Sequence, residues 1–166
     1  MENSFAVANR IIHLGKQHNT PPTQMKLQKL MYFAHGWHLA LYDEPLVDQE
    51  FHAWKYGPVI PSVYHEFKSF GMLGIDQPAT ILTSLPSGGF GWFEPSIQNV
   101  KIALPLLDKI WEVFGSYSGK QLSEMTHING SPWKTIFDRE GESKNAHIPN
   151  DLIKSYFKGL MSNGNT

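Results

Sequence analysis

The stretch from residue 24 to residue 42 places the strongest constraint on how this chain can fold. Apolar residues recur there at three- and four-residue spacing, which predicts a helix with one broad apolar stripe. The stripe consists of Leu27, Leu30, Ala34, Trp37 and Leu41, flanked by Met31 and His38. Thr23 can cap the start of this helix, and Asp43-Glu44-Pro45 ends it. Because few charges follow Lys29, we expect the helix to lie in the middle of the core.

Helix signals dominate most of the remaining chain. Ser118 begins a sequence with the form of a capping box, and Ser131 precedes a proline at the first helical position. The predicted helix starts are Ser4, Pro61, Pro105, Ser118, Ser131 and Asn150. These signals predict a mainly α fold, a compact single-domain helical bundle of about six to seven helices with at most a small β-hairpin or extended ribbon.

The chain is predicted to form one helical domain over residues 1–161, followed by a frayed polar tail at 162–166. Residues 46–54 alternate loosely between apolar and polar, as a strand or an extended segment does. Residues 72–99 break the helical pattern because glycine and proline recur through them, which predicts a long irregular connection with one hairpin around Ser87-Gly88-Gly89.

Composition and charge limit the classes of partner. The formal net charge is −1, so no strong overall field attracts nucleic acid or an anionic membrane surface. Cysteine is absent, which excludes disulfides and thiolate chemistry. Glu2 stands where a signal peptide needs positive charge, and no apolar run approaches the roughly 18–20 residues that span a bilayer. We therefore expect a soluble cytoplasmic protein with no nucleic-acid or membrane partner.

Residues 51–60 bring three aromatic side chains and a Gly-Pro pair into one short segment. Fully burying each aromatic contributes roughly 1.5–3 kcal/mol, and a surface loop does not need that many large apolar groups. The segment is therefore either a corner that packs on the long helix or a recognition surface. For a recognition surface we expect a rigid turn at Gly57-Pro58 and a partner-binding site on Lys55, Tyr56, Gly57 and Pro58, supported by Trp54.

Three histidines are the basis of an alternative hypothesis for the function. His35 and His38 stand three residues apart on the long helix and His52 follows downstream, so a metal-dependent hydrolase or nuclease can be built on these three. No HExxH motif or cysteine supplies further ligands, and a histidine beside a buried stripe usually satisfies a backbone group. The residues themselves thus predict no metal and no cofactor.

Other catalytic patterns are missing from the sequence. There is no GxSxG nucleophile motif, and the glycines of residues 87–91 lack the Lys-Ser/Thr of a phosphate-binding loop. Lys26 and Lys29 share a helical face that we expect to be solvated. We assign no catalytic residue and expect a protein that is not an enzyme.

Four segments together resemble the Panacea domain, also called SocA-like. The first is residues 23–39, with the sequence Lys26-Leu27-Gln28-Lys29-Leu30, and the second is residues 51–64, with Trp54-Lys55-Tyr56-Gly57-Pro58. Residues 122–133 and 145–157 are similar to its third motif and its closing helix. The four segments follow the family's order over nearly the whole chain, and residues 72–99 match it least.

The resemblance implies a mainly helical antitoxin of the kind found in prophages and mobile elements. Such domains neutralise unrelated toxins by direct protein binding, and one member is an adaptor that delivers its toxin to a ClpXP-type protease. The resemblance thus implies a cognate toxin encoded nearby as the partner, with an ATP-dependent protease as a second partner in the adaptor variant. The poor match of residues 72–99 implies a family-variable insertion that tunes which toxin is bound.

Overall fold

Helix α2, Gln24–Tyr42, lies at the centre of the fold, as the sequence predicts. The computed structural model describes residues 1–143 and 145–164. Most of α2 is buried, including the polar side chains of Gln28, Lys29 and His35. Leu41, the last member of the predicted stripe, is exposed instead. Helices buried on nearly all sides belong to the interior of a fold, and five of the other α-helices pack directly against this one.

Seven α-helices account for most of the described chain, which confirms the mainly α class. Besides α2 they are α1 Ser4–Gln17, α3 Pro61–Phe67, α4 Ala103–Phe114, α5 Gly119–Thr126, α6 Pro132–Glu140 and α7 Asn150–Asn163, with a short 3-10 helix at Lys68–Phe70. The capping box at Ser118 and the cap at Ser131 are both formed. Helix α4 begins two residues before Pro105, which therefore lies in the first turn, where a backbone N–H has no intrahelical partner to lose.

Two small antiparallel sheets complete the fold. Strands β1 Phe51–Trp54, β2 Gly57–Val59 and β5 His147–Ile148 form one sheet in the order β2-β1-β5. Trp54 pairs with Gly57, so the tight turn between β1 and β2 is Lys55-Tyr56. The prediction of a turn at Gly57-Pro58 is wrong, because these residues begin β2. Pro58 is tolerated there since β2 is an edge strand.

The second sheet is a hairpin inside the 72–99 connection. Its strands are β3 Ile81–Ser84 and β4 Phe90–Phe93, and Gly88 and Gly89 adopt positive φ angles between them, which confirms the predicted hairpin. Two buried polar side chains bind the backbone on either side of this hairpin. Asn9 exchanges hydrogen bonds with the backbone of Ala79 and donates to the Pro95 carbonyl, while the Glu2 carboxylate accepts from the N–H groups of residues 98 and 99.

A single hydrophobic cluster of buried residues runs from Ala6 to Phe157. Helix α7 continues through Asn163, into the predicted tail at 162–166, and Asn165 and Thr166 lie outside the described residues. Among residues 1–143 and 145–164, none of the helices combines the length and the apolar character that crossing a bilayer demands.

Helix α7 packs closely on α2 at Gly36. A Cβ atom built on Gly36 lies only 2.3 Å from the ring of Phe157, which is itself fully buried. The Phe157 ring also makes edge contacts with Tyr32 and Trp37 of α2. The missing side chain at position 36 is therefore what lets the last helix cover the central one.

Replacing Gly36 with alanine should destabilise the protein by about 1–3 kcal/mol, because the new methyl group forces Phe157 out of its site. Urea unfolding followed by circular dichroism measures this change in the free energy of unfolding. Gly159→Ala is the matched control, since Gly159 lies in α7 with open space around it. Alanine there should be neutral or slightly stabilising. Equal stability of the two variants would show that the α2–α7 contact can relax.

Candidate functional site

The β1–β2 hairpin presents an aromatic corner whose backbone is fixed from three directions. Alternate carbonyl groups around its turn each accept a hydrogen bond from a different helix. The donors are Trp133 Nε1 to the Trp54 carbonyl at 2.8 Å, Ser123 Oγ to the Tyr56 carbonyl at 2.7 Å, and Lys29 Nζ to the Pro58 carbonyl at 3.2 Å. Helices α6, α5 and α2 thereby hold the turn in one position.

The five residues expected to bind a partner divide into two sets. Lys55 and Tyr56 are exposed at the tip of the turn, with 61% of Tyr56 accessible, and Trp54 is half-buried against Tyr64 with ring centroids 5.1 Å apart. Gly57 and Pro58 are buried. The expectation that they lie on the surface is wrong, because they belong to β2 and pack over α2.

Gly57 has a conformational and a steric reason to be glycine. Its φ angle of +109° is rarely adopted by residues that carry a side chain. A Cβ atom at this position lies 2.4 Å from Cε of Lys29 and 2.9 Å from Oγ1 of Thr126. The glycine therefore lets the hairpin close directly over the lysine.

Lys29 is buried, with 1% of the residue exposed, and the expectation of a solvated lysine face is wrong. The desolvation of its ammonium group lowers the pKa of Lys29 to about 7. Lys26 is also partly buried: its Nζ donates to the Gly115 carbonyl and lies 5.2 Å from the ring centroid of Trp111. Both lysines are used inside the fold because α2 has almost no solvent-facing side.

Nearby His127 completes the polar surroundings of Lys29. Its ring contacts that of Trp133 in a tilted arrangement with centroids 3.8 Å apart, and the pKa of His127 is lowered, chiefly by burial and then by the positive charge of Lys29. Lys29 has no carboxylate within ion-pair distance among the described residues. Among the described residues, the amine therefore has one hydrogen-bond partner, the carbonyl oxygen of Pro58.

An open groove of about 1060 Å³ runs beside the corner. Its walls come from the start of α2, the β1–β2 hairpin, α3, the start of α5 and the loop before β5. The residues that define its character are Gln24, Lys29, Trp54, Tyr56, Tyr64 and Lys120. The corner and the groove form one continuous surface that can bind a ligand.

The histidines of the alternative function are engaged within the protein. Nδ1 of the fully buried His35 accepts the N–H of Val47 at 3.4 Å, which leaves Nε2–H to donate to Oδ1 of Asn150 at 2.8 Å. Burial lowers the pKa of His35 to about 4. Nδ1 of His38 bonds the Glu44 carbonyl. Within residues 1–143 and 145–164, no three or more His, Cys, Asp or Glu side chains cluster closely enough to hold a metal ion. The structure therefore gives the metal hypothesis no geometric support.

Sequence reasoning missed Lys29, Ser123 and Trp133 as the residues that fix the corner. One signal pointed to Lys29: a helix expected to be central leaves little room for a solvated charge. The other two are a serine and a tryptophan far along the chain, and no spacing rule connects them to the hairpin.

The chain is similar in sequence to known proteins of one family. Residues 27–89 match the family described as "Antitoxin SocA-like, Panacea domain", a range that contains Lys29 and the whole β1–β2 hairpin. A curated relative, "Antitoxin SocA" of Caulobacter vibrioides (strain NA1000 / CB15N), is 32% identical over 155 residues, which span 92% of this chain and 81% of the relative. No solved structure matches the chain significantly.

The buried lysine predicts a stability that rises with pH. The unfolded chain keeps Lys29 protonated up to about 10.5, whereas the folded protein releases the proton near 7. Because the unfolded state then binds more protons, the free energy of unfolding gains up to about 1.4 kcal/mol per pH unit from this group above pH 7. Urea titrations at pH 7, 8 and 9 measure the slope below the range in which tyrosines ionise.

Lys29→Met should flatten this slope and raise stability at pH 7, because an apolar side chain of similar length replaces the buried amine. Lys101→Met is the control, since Lys101 is exposed. A slope in Lys29→Met equal to that of the unmodified protein would contradict a buried titrating amine.

Proposed function

This chain belongs to the SocA-like Panacea family of antitoxins, and on that premise we propose that it neutralises a toxin encoded nearby by binding it directly, without catalysis. The observation that carries the proposal is Tyr56, 61% exposed at the tip of a hairpin whose backbone is fixed by three helices. A few residues dominate the binding energy of most protein interfaces, and tyrosine is enriched among them. An exposed tyrosine on a fixed turn has the properties of such an anchor.

Preorganisation supports this role for the corner. Binding usually costs about 0.5–1.5 kcal/mol for each side chain that becomes ordered, together with the cost of ordering loops. Here the turn is already held, so only the side chains of Lys55 and Tyr56 remain to be ordered. We propose that Trp54, Lys55 and Tyr56 contact the toxin, and that Gly57 and Pro58 shape the corner from beneath.

The β3–β4 hairpin is proposed to tune which toxin is bound. Phe90 and Trp92 are each 73% exposed, and Leu82 is 56% exposed. No charged residue occurs between Asp76 and Glu94. An exposed apolar surface of this kind is typical of interaction sites, and a variable loop on a fixed scaffold lets one fold bind different partners.

Delivery of the toxin to an ATP-dependent protease of the ClpXP type is the second candidate. An adaptor needs two binding surfaces, and the two exposed aromatic surfaces rest on different helices. The corner is held by α2, α5 and α6, whereas the base of the β3–β4 hairpin is held by Asn9 of α1. In this variant the β3–β4 hairpin contacts the protease.

The two candidates predict different lifetimes for the toxin. If the protein is an adaptor, the toxin's half-life in cells should shorten only when both the protein and the protease are present. Trp92→Ala should then lengthen the half-life while toxin binding is kept. A half-life that is independent of the protease indicates sequestration, and weaker toxin binding by Trp92→Ala indicates that the hairpin faces the toxin.

Tyr56→Ala should leave the fold cooperative and weaken toxin binding by 1 kcal/mol or more, about fivefold in Kd, the usual scale for an interface anchor. The product of the neighbouring gene would be co-expressed with each variant, and growth rescue, co-purification and calorimetric Kd would be measured. Tyr42→Ala is the matched control, because Tyr42 is 44% exposed at the opposite end of α2. If Tyr56→Ala unfolds, the corner is structural; if it binds as well as Tyr42→Ala, the toxin binds elsewhere.

A further inference from the structure

The groove beside Tyr56 is open and large. Its volume of about 1060 Å³ reaches the upper end of the ~300–1,000 Å³ typical of ligand pockets. It extends from the start of α2, past Trp54 and Tyr64, to the exposed Met72. This shape suits a length of polypeptide better than a compact metabolite.

The charges that line the groove are mostly of one sign. Lys29, Lys55 and Lys120 border it together with His52 and His65, and Glu142 is the carboxylate among its described lining residues. The whole chain has a formal net charge of −1, so the excess of positive groups is local to this surface. Complementary charge across an interface favours an acidic partner and raises its rate of association.

Lys29 is the buried charged group among the described residues that line the groove. The residue is 1% exposed, and among the described residues its Nζ makes one hydrogen bond, to the Pro58 carbonyl at 3.2 Å. An ammonium group has three donors, and a buried charge without a counter-ion is costly. A carboxylate that entered the groove would supply both the missing acceptors and the missing charge.

Gln24 provides a second, independent indication of a ligand. The residue is 9% exposed and borders the same groove, and its Nε2 donates to the Tyr64 carbonyl at 3.0 Å. Its Oε1 is buried and has no hydrogen-bond partner in the described part of the chain. Buried acceptors are rarely left unpaired in folded proteins. The N–H of an extended peptide is a donor of the kind this oxygen lacks.

We propose that the groove receives an extended acidic segment of the toxin, in which a side-chain carboxylate pairs with Lys29 and a backbone N–H donates to Gln24. The proposal deepens the antitoxin role and rests on it, because the toxin is taken as the ligand. Lys55 and Lys120 at the exposed rim attract the segment, and Trp54 and Tyr64 supply the apolar wall against which it packs.

Calorimetry of the purified toxin with groove variants tests this assignment. The double variant Lys55→Gln/Lys120→Gln should bind the toxin about tenfold more weakly or worse, and its Kd should depend less on salt. Lys29→Met should lose about tenfold or more as well, because the carboxylate then lies buried without a partner. Lys16→Gln/Lys101→Gln, which changes two exposed lysines outside the groove, should bind like the unmodified protein.

Hydrogen exchange on the toxin identifies the bound segment in the same complex. The protected segment should contain Asp or Glu, and replacing those residues with Asn or Gln should reduce affinity as the lysine variants do. Urea unfolding of each variant distinguishes loss of folding from loss of binding. If Lys29→Met does not fold, the affinity of Lys55→Gln/Lys120→Gln for the toxin tests the groove assignment.

The possible outcomes distinguish a failure of the groove assignment from a failure of the proposed antitoxin function. If the toxin binds all groove variants with unchanged affinity, or if the protected segment has no acidic residue, the groove assignment is overturned while the antitoxin role stands. If the unmodified protein neither rescues growth nor binds the toxin, the proposed function fails and the inference fails with it.

Discussion

Burial of helix α2 on nearly all sides is the constraint on which the rest of the structure depends. A helix in this position must have every face matched by another element. Gly36 provides the space for α7, and Gln28 binds both the N–H and the carbonyl of Ile60 at the start of α3. Polar residues on such a helix cannot turn to solvent, so each becomes a fixed point for a neighbouring segment.

Lys29 links the burial of α2 to the exposed β1–β2 hairpin. The amine is held inside the fold and donates to the carbonyl of Pro58, while Gly57 gives it room beneath the hairpin. Ser123 and Trp133 hold the other two carbonyls, so the exposed side chains of Lys55 and Tyr56 stand on a backbone with little freedom. The burial of the amine therefore costs free energy but helps to keep the corner rigid. A carboxylate bound to the amine would reduce that free-energy cost.

The fold therefore combines a fixed scaffold with two different outer surfaces. The corner and groove carry a local excess of lysines around aromatic side chains, whereas the β3–β4 hairpin is uncharged and apolar. Buried Asn9 and Glu2 bind the backbone on either side of the β3–β4 hairpin, which ties the hairpin to the start of the chain. This division suits a protein that keeps one framework and meets different partners.

The sequence by itself determined the helices, because caps, prolines and apolar spacing are local signals. Ser118, Ser131 and the apolar pattern of residues 24–42 each specify a helix in their own segment of the chain. It also determined the β3–β4 hairpin, whose turn needs glycines with positive φ. Tertiary structure alone decided that Lys29 is buried, that Gly57 and Pro58 form a strand, and that Ser123 and Trp133 hold the corner. The contacts of Lys29, Ser123 and Trp133 with the hairpin join residues far apart in the chain, and no local periodicity specifies which distant donor a given carbonyl meets.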